Sequence, residues 1–403
     1  MLTVDQARRA IHANVLPLAA RPSPLAGGGV LAQDVRMDDD SPRFDRAQLD
    51  GFAVRAQDAV AGAALALAGQ IDAGGQLFSG VMDPGTCLGI NTGGMIPAGA
   101  DAILMVEHTQ RITRDGREFI VAKNGVEAGQ GIQHRGTDAR AGDVVLHAGM
   151  RLRSAQQAVC AAAGVTQPRV RKARVAVLST GDELVAITTP PPLPAGKIRN
   201  SNQLMLCALA AEAGADLLDL GTCPDEAPCI RTMLQRGLAE ADLLVVCGGM
   251  SMGTRDLVPP MLKEIGVVLH IEKVSMKPGK PFVLGTFESV AGRKYVAGLP
   301  GNPVSAFVTF QLFVREMLRH MEASSDGPKI MPARTDRALP ANGDREFYQP
   351  CILRAGAEGL TAEVLVWKGS ADIFTLARAN GLLILAAGAK AVEAGANVQA
   401  LTW

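Results

Sequence analysis

The sequence predicts a multidomain α/β protein centred on a doubly wound parallel α/β domain over residues 171–322. Two observations carry this expectation. From Ala173 onward, short apolar runs alternate with helix-periodic segments, the pattern of parallel strands joined by crossover helices. At "EASSDGPKIMPART" that rhythm stops, and short strand-like runs separated by Gly turns follow, so residues 326–403 read as a small β domain.

The elements follow in chain order. At the N-terminus, Thr3 and Gln6 are spaced as a capping box, and Ala7, Ile11 and Val15 share one helical face. This is a helix, not a signal peptide. Gly- and Asp-rich short strands run from about 50 to 135, and "SAQQAVCAAAG" reads as a helix opened by Ser154. "ARVAVLST" is a buried strand, "NQLMLCALAAEAG" a helix closed by Gly214, and "LLDLG" the next strand. A helix around 226–240, the strand "DLLVVC" and a helix from Asp256 continue the alternation, with "TTPPPLPAG" as a loop inside the domain. "PFVLGTF" and "KYVAGLP" are strands. Asn302 and Pro303 suit the cap and first position of a last helix, whose stripe is Val304, Phe307, Val308, Val314, Met317, Leu318 and Met321.

Composition narrows the function classes. Of 403 residues, 48% are apolar and 20% charged, enough for more than one core. Forty basic residues against forty acidic ones leave no global field to draw the chain onto nucleic acid or an anionic membrane. No apolar run reaches membrane-spanning length. Seven scattered cysteines without a CxxC pair, with Cys207, Cys247 and Cys351 inside apolar segments, read as buried free thiols of a cytoplasmic protein. The six histidines show no HExxH or paired-ligand spacing, so no structural zinc site is expected.

Ligands of an open parallel sheet collect beyond the carboxyl ends of its strands, and three such loops stand out. "STGDEL" places Asp182 and Glu183 after a strand. "GGMSMGTRD" has Gly248, Gly249 and Gly253, which let backbone N–H groups approach an anion at a helix start, and it ends in Asp256. "KVSMKPGKPF" arranges Lys273, Lys277 and Lys280 around a proline-stiffened turn. Taken singly, Asp256 reads as a helix cap, Asp182 and Glu183 as solvated turn residues, and "GLPGNP" as a strand-to-helix turn. Together the loops suit phosphate or oxyanion chemistry assisted by a hard cation such as Mg²⁺.

The ordered motifs resemble the molybdopterin molybdenumtransferase family, the MoeA-type proteins related to the E domain of gephyrin. They are "PRFDRAQLDGFAVRAQD", "INTGGMIPAGADAILMVEH", "HRGTDARAGDVVL", "STGDEL", "GKIRNSNQLML", "CGGMSMGTRD", "MKPGKPF", "GLPGNPVSAFVTF" and "KGSADIFTLARANGL". The resemblance implies four domains: a helical unit from 1–43 and 136–170, an inserted β domain at 44–135, the α/β domain at 171–322, and a C-terminal β-barrel-like domain at 326–403. It also implies a homodimer whose site is shared between subunits, with molybdopterin adenylyltransferase as upstream partner. The implied reaction inserts molybdate into the dithiolene of adenylylated molybdopterin and releases AMP with Mg²⁺.

Carried over, Asp50, Glu183, Asp256, Lys277 and Lys280 are the implied catalytic residues, with Glu183 and Asp256 at the metal. Thr92, Asp138, Asp225, Gly248, Gly249, Ser251, Gly253, Lys273, Pro300, Pro303 and Ser370 are implied to bind substrate. The chain departs from the family pattern at three places: Phe52 stands where a tyrosine is usual, Gly94 where alanine is usual, and Gln349 where a basic residue is expected. Two alternatives share the α/β fold. One is the adenylyltransferase, echoed by Thr254–Arg255–Asp256; the other is a non-catalytic scaffold, against which the charged rim argues because it costs desolvation.

Overall fold

The computed structural model describes residues 1–74, 78–250, 257–357 and 359–403. The chain forms two compact units: one of Met1–Gln33, Ala148–Gln157 and Gln167–Trp403, the other of Asp34–His147 and Ala158–Thr166.

In the first unit a six-stranded sheet runs in the order Asp216–Cys223, Arg174–Thr180, Leu243–Cys247, Gly292–Leu299, Val283–Ser289, Val268–Ile271. The first four strands are parallel, as the alternating pattern predicts, and the last two are antiparallel. The reversal has a simple cause: only Val290 and Ala291 separate the strands Val283–Ser289 and Gly292–Leu299, too short a link for a crossover. The sheet is thus mixed at one edge.

Both of its faces are covered. Val175, Val177, Leu243 and Val245 pack with Leu206 and Ala210 of the helix Ser201–Glu212 and with Val304 and Val308. Their alternate neighbours Ala176, Leu178, Leu244 and Val246 pack with Ile230 and Leu234 of the helix Ala227–Glu240 and with Met261 and Leu262. Two buried faces explain why these strands read as continuous apolar runs rather than alternating ones.

The helix after "DLLVVC" begins at Val258 with Leu257 in the cap position, two residues later than expected from Asp256. Pro259 and Pro260 suit its first turn, where no N–H donor is required. The last helix of the domain runs as Pro303–Thr309, a π-helical segment Phe310–Val314, and Arg315–Glu322. All seven residues of its predicted stripe are buried. Asn302 holds the cap position, yet its side chain makes no capping bond.

The C-terminal strands Glu346–Gly356, Gly359–Val364, Ile330–Thr335, Asn397–Thr402 and Gly381–Leu385 close into a barrel, since the last pairs back with the first. Cys351, Ala362, Leu383 and Ala400 fill it. The strand Met276–Lys277 adds to its edge, pairing Lys277 with Phe347. That pairing sets a lysine of the "MKPGKPF" turn against the barrel, which sequence spacing did not reveal. At the N-terminus the helix Val4–Asn14 carries both bonds of the Thr3–Gln6 capping box, and Val4, Ala7 and Ile11 are buried.

The second unit holds a six-stranded sheet ordered Ala102–Met105, Gly51–Val54, Thr86–Ile90, Ala64–Ile71, Arg117–Ala122, Thr109–Arg114. Two of the family departures fall here and have packing causes. Phe52 is buried with Leu65, Leu104 and Ile120, an apolar setting in which a tyrosine hydroxyl would need a partner. At Gly94 a Cβ would stand 2.7 Å from Ile90 Cγ1 and 2.9 Å from the Asn91 carbonyl oxygen, so alanine has no room. Among the described residues no helix is long and apolar enough to cross a membrane.

Candidate active site

Three strands of the first unit's sheet end at one rim. Arg174–Thr180 leads into Gly181 and Glu183, Leu243–Cys247 into Gly248 and Gly249, and Gly292–Leu299 into Pro300 and Asn302. These loops enclose a cavity of about 360 Å³ lined by Thr180, Glu183, Asp225, Gly248, Gly249, Pro300 and Asn302, among others. Both glycine-rich turns are sterically required. A Cβ on Gly248, at φ +96°, would lie 2.4 Å from the Thr180 carbonyl oxygen. One on Gly181 would lie 2.5 Å from Glu183 Oε2, so the Glu183 carboxylate folds back over that residue.

Asp182 and Asp225 are fastened to one another. The Asp225 N–H donates to Asp182 Oδ1 at 3.0 Å, and the Asp182 N–H donates to Asp225 Oδ2 at 3.4 Å. Asp182 is therefore a loop tie, while Glu183 and Asp225 line the cavity. Two oxygens at this rim are buried without a hydrogen-bond partner among the described residues, Thr180 Oγ1 and Asn202 Oδ1. Asn202 otherwise donates to the Gly301 carbonyl at 2.6 Å and to Cys247 Sγ at 3.4 Å. Buried polar atoms normally find a partner, so these two mark an incomplete polar site. The Cys247 thiol is pushed up to about 12 by burial, against the lowering bond from Asn202, and is inert.

A second cavity, of about 470 Å³, adjoins the first across Pro281, which lines both. Lys277, Lys280, Arg345, Ser305 and Ser370 supply its polar lining, and no acidic residue lines it among the described residues. Lys277 Nζ stands 5.3 Å from the centroid of the Phe347 ring. The Ser370 carbonyl accepts the Val304 N–H at 3.0 Å, fixing the "KGS" loop to the helix start beside Pro303. Ser370 thus shares this cavity's lining with the two lysines. Lys273 lines neither cavity; its carbonyl accepts the Leu2 N–H at 3.2 Å.

Sequence reasoning missed Thr180, Asn202 and Arg345. Thr180 and Asn202 lie inside recognised motifs, and the signal was their burial, which a motif does not show. Arg345 precedes the barrel strand Glu346–Gly356, and the pairing of that strand with Met276–Lys277 brings it to the cavity. Gln349, where a basic residue was expected, instead donates to the Leu365 carbonyl at 3.0 Å.

Asp50, Thr92 and Asp138 lie in the second unit. Asp50 Oδ1 accepts the Thr92 N–H at 2.6 Å and the Thr92 hydroxyl at 2.8 Å, and these bonds hold its carboxyl below the usual carboxylate range. Asp138 accepts from Gln133 Nε2 at 2.8 Å. Ser251, Gly253 and Asp256 lie outside the described residues.

Glu183 and Asp225 are not joined by a third acidic, histidine or cysteine ligand among the described residues. Larger clefts exist, one of about 560 Å³ around Arg151, Arg153 and Arg315, but it lies away from the strand-end loops. Volume alone does not choose the site.

Comparison with known proteins fits this geometry. The model of the MoeA N-terminal region (domain I and II) matches residues 2–164, that of a probable molybdopterin binding domain residues 176–320, and that of the MoeA C-terminal region (domain IV) residues 332–403. The molybdopterin molybdenumtransferase of Nostoc sp. is 33% identical over 387 residues, which span 93% of this chain and 86% of that protein. The Bacillus subtilis molybdopterin molybdenumtransferase is 32% identical over 378 residues, 92% of this chain and 86% of its own. The crystal structure of the molybdopterin biosynthesis MoeA protein from Pyrococcus horikoshii OT3 superposes with a TM-score of 0.80 at 26% identity, covering 100% of both chains. With its family models spanning most of the length and relatives above 30% identity across it, the chain belongs to the molybdopterin molybdenumtransferase (MoeA) family.

Proposed function

We propose that this transferase inserts molybdate into the dithiolene of adenylylated molybdopterin, forming molybdenum cofactor with release of AMP. The observation that carries the reading is the pair of adjoining cavities, one lined by carboxylates and glycines, the other by Lys277, Lys280 and Arg345 without an acid among the described residues. The cationic cavity suits the molybdate oxyanion, and Ser305 and Ser370 hydroxyls add neutral donors. The first cavity suits the phosphoryl end of the substrate, where the Gly249 backbone lines the wall without a Cβ; the Gly248 N–H, expected from the sequence to face an anion, is instead donated to the Leu299 carbonyl at 3.2 Å.

The donors around the first cavity are hard oxygens: the carboxylates of Glu183 and Asp225 and the Thr180 hydroxyl, which has no partner among the described residues. That set fits Mg²⁺, which Glu183 and Asp256 would hold. When bound, the ion polarises a phosphoryl oxygen and offsets its charge. The chain's own task is to orient the two anionic partners and screen their repulsion, which Lys277, Lys280 and Arg345 do by position.

The reading extends to a cytoplasmic homodimer supplied by molybdopterin adenylyltransferase. In it, Asp50, Thr92 and Asp138 of one copy complete the site of the other, and Ser251, Gly253, Lys273 and Pro303 support substrate binding. It takes the four-part division at 1–43 with 136–170, 44–135, 171–322 and 326–403 as the domain plan. The test is direct: purified protein given adenylylated molybdopterin, Mg²⁺ and molybdate should release AMP and yield molybdenum cofactor. Absence of AMP release would overturn the reading.

A further inference from the structure

The histidines, isolated in sequence, are not isolated in the fold. His12 sits in the last turn of the helix Val4–Asn14, and the helix Arg315–Glu322 carries Glu316 and His320 four residues apart, hence on one face. His12 Nε2 lies 2.7 Å from Glu316 Oε1. The two imidazole rings stand 4.0 Å apart between centroids, inclined by 42°. One ligand atom from each of the three residues lies within 4.8 Å of the other two, the sole such trio among the described residues.

We propose that His12, Glu316 and His320 form a divalent-metal site, separate from the candidate active site, that binds Zn²⁺. Two imidazole nitrogens and one carboxylate oxygen are a donor set suited to zinc, and to cobalt, nickel or copper ahead of magnesium. Ligand atoms bonded to tetrahedral zinc at about 2.0–2.1 Å lie roughly 3.3 Å from each other, so the trio must readjust by an ångström or so. The movable partner is His12, whose side chain is 49% exposed, whereas the Glu316 side chain is 12% exposed. Arg319 bonds to Glu316 Oε2, which turns Oε1 toward the histidines, the role of an outer-sphere partner. Glu316 and His320 also line a cleft together with Arg319 and Asp326.

The protonation states agree with this geometry. Burial, with His12 nearby, holds the His320 imidazole below its ordinary range. Burial pushes Glu316 up, but hydrogen bonds from Arg319 and His12 outweigh it and leave the carboxyl lowered. Near neutral pH both groups therefore hold the deprotonated form a metal needs. Arg319 opposes a cation by its charge, which limits affinity without removing the donor atoms. The competing role is a metal-free pin between helices through a His12–Glu316 ion pair. Such a pin is unmoved by a chelator or by added Zn²⁺, whereas a metal site responds to both.

The test uses the full chain without a histidine tag, stripped with a chelator and titrated with Zn²⁺ in a calorimeter, then with Co²⁺ under visible absorption. One equivalent of Zn²⁺ should bind, raise the thermal midpoint by several degrees and weaken between pH 7.5 and 5.5. Affinity should fall in H320A and E316Q by more than the roughly 10–100-fold that outer-sphere losses cost. H12A, at an exposed position, keeps the test valid if either other variant unfolds, and it too should weaken binding. No binding, binding unchanged in the variants, or a near-ultraviolet thiolate-to-cobalt band marking cysteine ligands would each overturn the proposal.

Discussion

Asp50 Oδ1 takes both hydrogen bonds offered by Thr92, from the N–H at 2.6 Å and from the hydroxyl at 2.8 Å, while Oδ2 receives none from any described residue. One oxygen fastens the loop and the other is left to act. Asp50→Asn keeps the shape and removes the charge. We expect AMP release to fall by about 10²-fold, the scale of losing one electrostatic contact at a reacting centre, with the thermal midpoint little changed. The pH sign agrees: a lowered carboxyl contributes stability above its unfolded value of 3.8, and that contribution goes only as pH falls through the folded value. Neutral-pH assays therefore see the ionised group. Full activity in the variant would return Asp50 to loop fastening alone.

Gly248 and Gly181 both hold a positive φ, +96° and +151°, and differ in what a Cβ would displace. At Gly248 a Cβ meets the Thr180 carbonyl at 2.4 Å with φ at +96°, and backbone cannot yield cheaply. Gly248→Ala should cost about 1–3 kcal/mol in unfolding free energy and lower AMP release with it. At Gly181 the obstructing atom is Glu183 Oε2, the end of a flexible side chain. Gly181→Ala carries backbone strain as well, at φ +151°, so it should lower stability, and it should lower turnover further by pushing the Glu183 carboxylate aside. Chemical denaturation beside AMP release decides, and a fully stable Gly248→Ala would contradict the packing described.

His270 predicts a stability slope near neutral pH. Burial first, and Arg293 second, depress its imidazole below 6.5, and its Nε2 lies 2.8 Å from Thr286 Oγ1. A depressed folded value means the contribution is complete above 6.5 and is lost as pH falls through the folded value. His320 is depressed in the same direction. The thermal midpoint should therefore drop from pH 7.5 to 5.5, and His270→Gln should flatten part of that slope. Identical slopes in both proteins would refute the assignment.

Arg345 and Gln349 give the third family departure a test. Gln349 spends its amide on the Leu365 carbonyl, whereas Arg345 lines the cavity with Lys277, Lys280 and Ser370. Arg345→Ala should raise the molybdate concentration needed for half-maximal AMP release by roughly 10–150-fold, the equivalent of one lost charge-assisted bond of about 1.5–3 kcal/mol. Gln349→Arg should not lower it. Varying molybdate at fixed adenylylated molybdopterin reads this, and the reverse ranking would move the cationic role to position 349.

These contrasts show what was legible in the sequence. The strand-end loops were readable because an apolar run followed by glycine and a carboxylate fixes both an element and its exit. Less visible were groups whose role depends on a neighbouring element. Asp182 is a tie because Asp225 faces it, and Arg345 is a cavity residue because a two-residue strand joins the barrel. The His12–Glu316 contact spans 304 positions, beyond any local spacing rule. The antiparallel edge of the sheet was hidden in the length of one turn.

Asp50 and Lys277 belong to different compact units, and this permits a test of the shared-site homodimer. Suppose Asp50→Asn and Lys277→Ala each inactivate the homodimer, and the two variants are mixed, dissociated and reassociated. If each site draws Asp50 from one copy and Lys277 from the other, a mixed dimer has one intact site and one doubly damaged one. Random pairing makes half of the dimers mixed, so AMP release should recover to roughly one quarter of wild type. If both residues of a site come from a single copy, every site keeps one lesion and no activity returns. Sedimentation of the mixture confirms that dimers re-formed, and recovery near zero in re-formed dimers would overturn the shared site while leaving the insertase reading intact.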